Sequence, residues 1–308
     1  MGQGSYSHDA HQALLKGRKN LPVQKVFRQQ QCHPLMNPKG VKVRECRDSA
    51  EHPHSLGIAF ALDVTGSMGD IPHLLATQQL PSFMKVLMDC DIPDPQLLFT
   101  AVGDATSDQA PLQVGQFEST AELMDQWLTR SFLEGGGGGS GEESYELALY
   151  FLALHTEMDC VIKRKKKGYL FITGDERPYP TLSRHIVDTI VGDRLDEDLK
   201  VEEVLAEVQK SFVPFFVIPD DVRRYRQHCE RAWRDLLGDH VICLESPQDV
   251  CFATAGAILL SEGLVRNLDE LSQKLLAAGM DETRKAAVVK ALKPLILSEK
   301  KLKIPFLR

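Results

Sequence analysis

Several features that would decide the class of this protein at once are missing from its sequence. Nowhere do apolar residues run on for the ~18 positions of a membrane-spanning helix. The opening "MGQGSYSHDAHQALLKG" holds no apolar stretch of the signal-peptide kind. Tyr6 stands where the myristoylation pattern needs Ser or Thr. The seven cysteines include no C-x-x-C pair and are odd in number, which predicts free thiols rather than a disulfide framework. Together these absences predict a soluble, cytoplasmic protein. His52/His54 and His228/Cys229 lack the spacing of a zinc site. No G-K-[ST] follows the glycines 135–139, so they do not make a phosphate-binding loop. A basic excess is absent too: the net charge is −7, which argues against nucleic acid as the partner. The one basic run, "KRKKK" at 163–167, reads as a solvated loop ahead of a strand.

What is present is ordinary in bulk. The 308 residues are 43% hydrophobic and 26% charged, enough for one large domain or two modest ones. Residues 1–55 are polar and basic with scattered prolines, and read as an arm in which "VKVRECRD" (41–48) alternates like a strand. From 56 the text changes. "LGIAFALD" (56–63) is a continuous apolar run of strand length, and "QLLFTAVGD" (96–104), "GYLFITGD" (168–175) and "FVPFFVIP" (212–219) read as further buried strands. "LQVGQF" (112–117) and "HVICLE" (240–245) are shorter candidates. Strands without alternation are buried on both faces.

Helical spacing fills the intervals, for example at 71–89 and at 119–133, where Ser119-x-x-Glu122 has the form of a capping box. Ser140-x-x-Glu143 has the same form ahead of the helix "EESYELALYFLALHT". Trp127 and Trp233 fall on helical faces and read as core. Strands alternating with helices predict an α/β fold, a doubly wound, mostly parallel sheet flanked by helices. The predicted division is a basic arm at 1–55, an α/β domain at 56–262 and a helical appendage at 263–308.

Ligands of open α/β sheets sit outside the carboxyl ends of the strands. Asp63, Asp104 and Asp175 each stand at such an end. After Asp63 come two hydroxyls at alternate positions, Thr65 and Ser67, with Gly66 between them. A loop leaving a strand can turn alternate side chains around one ion, and carboxylates with hydroxyls suit a hard cation such as Mg²⁺. The bland alternatives are that Asp63 caps the next helix and that Asp104 and Asp108 make a turn.

"DVTGSM" (63–68) resembles the metal-ion-dependent adhesion site of von Willebrand factor A (VWA) domains, D-x-[ST]-x-S. In order there follow "FTAVGD" (99–104), "GGGGGSGEES" (135–144) and "FITGDERPYP" (171–180), so the resemblance spans about 57–245. It implies a Mg²⁺ (or Mn²⁺) site at Asp63, Thr65, Ser67 and Asp175, with Asp104 and Ser140 as further candidates. Where the glycine loop of many such domains carries a ligating threonine, this chain has glycines, and Ser140 is the nearest hydroxyl. The resemblance further implies a non-enzymatic module that binds an acidic group of a protein partner. Intracellular members often work beside an AAA+ ATPase or a kinase, which here must be a separate chain. The alternative is a Mg²⁺-dependent phosphatase or phosphotransferase similar to the HAD superfamily, with Asp63 as nucleophile in "DVTGS" and "TGDE" (173–176) as a second element. Against it, Val64 replaces the lysine of D-K-T-G-T, and the G-D element at 103–104 precedes T-G-D rather than following it.

Overall fold

The apolar runs become strands buried along nearly their whole length. In the computed structural model they are β1 Leu56–Asp63, β2 Pro95–Val102, β3 Leu112–Val114, β4 Gly168–Thr173, β5 Phe212–Ile218 and β6 Val241–Cys243. Residues 4–66, 68, 70–136, 141–220 and 226–302 are described, without the side chains of 226 and 297–302. The six strands form one sheet in the order β6-β5-β4-β1-β2-β3, parallel except for the β3 edge. Every residue of β1, β2 and β4 is buried, the pattern of a sheet covered on both faces.

The longer helices are α1 His8–Lys16, α2 Leu80–Asp89, α3 Ala121–Thr129, α4 Tyr145–Leu154, α5 Val201–Ser211, α6 Arg226–Leu237, α7 Val250–Ser261, α8 Leu268–Ala277 and α9 Glu282–Leu302. On one face of the sheet a row of phenylalanines crosses four strands. Phe99, Phe60, Phe171 and Phe215 are register partners, with ring centroids 5.2–5.7 Å apart. Phe83 of α2 meets Phe60 edge-on at 5.2 Å, and α7 lies against α2. Phe216 points the other way because successive strand residues face opposite sides. There it stacks on Trp233 of α6 at 4.0 Å and meets Tyr145 of α4 at 5.6 Å. Trp233 and Trp127 are both buried, as their helical placement predicts.

The helix predicted at 71–89 is interrupted. Asp70–Leu74 is α-helical, Leu75–Gln79 forms a π turn, and α2 resumes at Leu80. Pro81 has no N–H to give the carbonyl four residues back and its ring crowds that carbonyl, and the wider turn accommodates it. Two predicted caps also differ. α3 is capped by Thr120, which accepts from Leu123 N–H, while the Ser119 hydroxyl donates to Gly4 O. Glu143 lies before α4, whose cap position is Ser144, in the short strand Glu142–Glu143 that pairs with Arg177–Pro178.

The basic arm is docked on the fold. Arg18 makes a two-pronged ion pair with Asp125 of α3, and Arg44–Cys46 pairs as a parallel strand with Thr156–Met158. The run 163–167 is a loop with Lys163, Lys165 and Lys167 exposed, but some of its cations are tied to the fold. Arg164 binds both oxygens of Asp48 and the carbonyl of Ser55. Lys163 pairs with Asp159 and Lys166 with Glu262. α8 and α9 pack on α7. All seven cysteines are free thiols. Among the described residues no helix is long and apolar enough to cross a membrane.

Candidate functional site

Chain order sets the location of the site. From β1 the chain steps outward through β2 and β3, then returns to the other side of β1 for β4 and continues through β5 to β6. The order reverses between β1 and β4, which makes their carboxyl ends the cleft of a doubly wound sheet. Asp63 ends β1, and Asp175 follows β4 by two residues.

Asp63 is fully buried and accepts three hydrogen bonds from described residues. Thr65 gives its N–H at 2.9 Å and its hydroxyl at 2.6 Å to Oδ1, and Tyr145 gives its hydroxyl at 2.7 Å to Oδ2. These donors, not a helix terminus, are what Asp63 holds. Burial pushes its carboxyl up to about 6; the Thr65 and Tyr145 bonds work against that rise and the Asp175 charge adds to it.

The turn after β2 repeats the turn after β1. Asp104 accepts the N–H and hydroxyl of Thr106 at 2.9 and 2.8 Å, as Asp63 does from Thr65. Tyr179 and Ser107 add their hydroxyls, and Asp108 takes the N–H of Asp104 at 2.7 Å. Asp104 is thus held by its own turn, the role that Asp63 shares only in part.

The glycine run closes over the first turn. Gly66 N–H donates to Gly136 O, and a Cβ on Gly66 would sit 3.1 Å from the carbonyls of Gly135 and Gly136. Glycine lets these two backbones touch. Ser67, Gly137–Gly139 and Ser140 lie outside the described residues. Asp63, Thr65, Asp104 and Asp175 are all buried at the same sheet edge.

Two side chains that the sequence reading passed over also lie there. Tyr145 reads in sequence as one more apolar residue of a helix, and nothing but its polar tip marks it. Glu143 reads as half of a capping box. It is buried to 4% exposure, and its Oε2 has no hydrogen-bond partner. Burial first, then the charges of Asp63, Asp104, Asp108 and Glu176, push its carboxyl up to about 9. Glu176 is raised to about 7 by burial, with Asp175 and Asp63 adding and Arg177 opposing. The glycine of "ITG" has a local cause: a Cβ at Gly174 would lie 1.9 Å from the Tyr145 hydroxyl.

Among the described residues no three Asp, Glu, His or Cys side chains converge as a metal shell on their own. A cation held here would need hydroxyls such as that of Thr65 as well as carboxylates. The orphaned Glu143 oxygen, buried among acids, fits such a cation. Beside Thr65 and Gly66 opens a cavity of about 360 Å³, walled by Val23 and Phe27 of the arm, Phe132, Leu133 and Asp70. A cavity of about 420 Å³ lies around Pro95, at the opposite end of β2, remote from these groups.

No protein-family model matches the chain, and no curated protein matches it. Solved structures similar to it include the pilus adhesin SpaC of Lactobacillus rhamnosus GG in its open conformation, with TM-score 0.44 and 10% identity over 76% of this chain and 31% of the adhesin. Another is proximal thread matrix protein 1 of the mussel byssus, with TM-score 0.40 and 10% identity over 73% of this chain and 51% of that protein. The chain therefore spans about a third of the adhesin and about half of the mussel protein.

Proposed function

We propose that this chain is a VWA-type binding module in which a divalent cation, Mg²⁺ or Mn²⁺, at the Asp63–Thr65 turn engages an acidic group of a protein partner. One observation supports the reading: the turn from Asp63 to Gly66 lies at the reversal point of the sheet, with Gly135 and Gly136 against it. Thr65 would be a direct ligand together with Ser67, and Asp63 and Asp175 would anchor the ion directly or through water. Neutral hydroxyl ligands leave the ion's charge uncancelled, so it draws an outside carboxylate. The partner is a separate chain, an AAA+ ATPase or a kinase in a cytoplasmic assembly.

The phosphotransfer alternative is the weaker reading. A nucleophilic Asp63 would need an accessible oxygen and a cation to balance phosphate charge. Asp63 is fully buried, and the charged groups acting most strongly on Asp63 and Glu143 are carboxylates. The module is accordingly read as non-enzymatic.

Capture of a partner from native lysate, with and without EDTA, tests the function. Capture that needs Mg²⁺ or Mn²⁺ and fails for Asp63→Ala supports it. Capture indifferent to both would remove the cation from the mechanism. Metal-dependent phosphoester hydrolysis lost in Asp63→Asn would establish the alternative instead.

A further inference from the structure

Glu143 is held in place by its neighbours on either side. Glu142 and Glu143 pair with Arg177 and Pro178 beyond the end of β4. Ser144 N–H donates to Gly103 O at 3.3 Å, and the Ser144 hydroxyl accepts Ala105 N–H at 2.9 Å, at the end of β2. Tyr145 donates to Asp63 at the end of β1. The segment 142–145 thus bridges three strand ends, and the carboxyl of Glu143 is buried among them with Oε2 unpartnered.

We propose that Glu143 is an anionic ligand of the divalent cation at the Asp63–Thr65 turn, supplied by this chain itself from the segment just ahead of α4. The inference rests on the cation reading above and goes beyond it, because the ligand set of that reading does not include Glu143.

A buried carboxylate without a partner is costly unless it takes up a proton or meets a cation. The groups whose charges act on Glu143 are Asp63, Asp104, Asp108 and Glu176, all acids. Repulsion among them is what a divalent ion would relieve. Asp104 is already saturated by Thr106, Ser107 and Tyr179. The oxygen without a partner is Oε2 of Glu143; among the described residues Oδ2 of Asp63 takes one bond, from Tyr145. One oxygen from each, with the Thr65 hydroxyl, gives a hard oxygen set of the kind such an ion takes.

Calorimetric titration of MnCl₂ into the full chain tests this, using wild type, Asp63→Asn, Glu143→Gln and Glu143→Asp. The expected result is binding by wild type, none by Asp63→Asn, at least tenfold weaker binding by Glu143→Gln, and partial recovery by Glu143→Asp. Without metal, Glu143→Gln should melt no lower than wild type, since it removes a buried acid, so its lost affinity cannot be ascribed to unfolding. Equal affinity of Glu143→Gln and wild type, with Asp63→Asn inactive, overturns the role of Glu143 and leaves the cation reading standing. Wild type that neither gives heat nor gains melting temperature with Mn²⁺ overturns both. Should Glu143→Gln fail to fold, Glu143→Asp carries the comparison: affinity below that of wild type supports the role, and unchanged affinity refutes it.

Discussion

The hydroxyl of Tyr145, at the first turn of α4, donates to Oδ2 of Asp63 at 2.7 Å, with both side chains fully buried. This bond joins the helix after the glycine loop to the end of the central strand, and so fixes the loop relative to the turn. Tyr145→Phe keeps the ring packing on Phe216 and Trp233 but leaves a buried carboxylate oxygen without its donor. The expected loss is about 1–3 kcal/mol, read from urea unfolding with an unchanged slope. An unaltered midpoint would mean that the bond contributes nothing to stability.

Gly174 lies against the same tyrosine. A Cβ there would be 1.9 Å from the hydroxyl and 2.6 Å from the ring carbon bearing it, and the ring is confined by Trp233 and Phe216. Gly174→Ala should destabilise by at least the ~1–3 kcal/mol typical of overpacking. In a double-mutant cycle with Tyr145→Phe the two losses should be less than additive. Additive losses would show that the tyrosine is not what excludes the methyl group.

Stability should fall as pH rises through neutrality, and Glu146 supplies a clean test. Its carboxyl is 1% exposed with Oε2 unpartnered, and burial pushes it up to about 8, with bonds from backbone N–H groups of Glu146 and Tyr179 opposing. An unfolded glutamate titrates near ~4.3. Between those values the folded state keeps a proton that the unfolded state has released. The contribution is therefore complete below about pH 4 and lost as pH climbs through about 8. Denaturant unfolding at pH 5, 7 and 9 should show the decline, and Glu146→Gln should flatten it. An equal slope in wild type and variant would place the pH dependence elsewhere.

Arg164 clamps the basic run to the arm. It donates to Asp48 at 2.7 and 3.1 Å and to Ser55 O at 2.6 Å, and these bonds hold the Asp48 carboxyl well below its usual range. Arg164→Ala should cost roughly 1.5–3 kcal/mol near neutral pH, a penalty that shrinks as acid protonates Asp48 in wild type as well. Lys165→Ala, whose side chain reaches only the carbonyl of Ile162, should be nearly neutral. Equal midpoints for the two variants would return the whole run to the role of a solvated loop.

Composition and local pattern reach a definite distance into this molecule. Apolar runs at 56–63, 96–104, 168–175 and 212–219 were enough to place a parallel sheet, because a strand covered on both faces has no polar side to show. Three of these runs end on a carboxylate, Asp63, Asp104 and Asp175, and these share one side of the sheet because its parallel strands end together. The spacing of Asp63 and Thr65 marked the turn after β1; that the Thr65 hydroxyl satisfies Asp63 locally is visible only in the structure.

Tertiary structure alone decided what lies across the chain from that turn. Tyr145 looks like its apolar neighbours until α4 brings its hydroxyl to Asp63, and Gly174 is unremarkable until that ring rests on it. Glu143 has the local form of a helix cap, yet pairing of 142–143 with 177–178 carries its carboxyl to the strand ends. The run 163–167 looks solvated because its acidic partners, Asp48, Asp159 and Glu262, include two that are distant in sequence. Local sequence sets backbone geometry and the periodicity of burial. The partner of a buried polar atom is set by which elements pack together, and that depends on the whole chain at once.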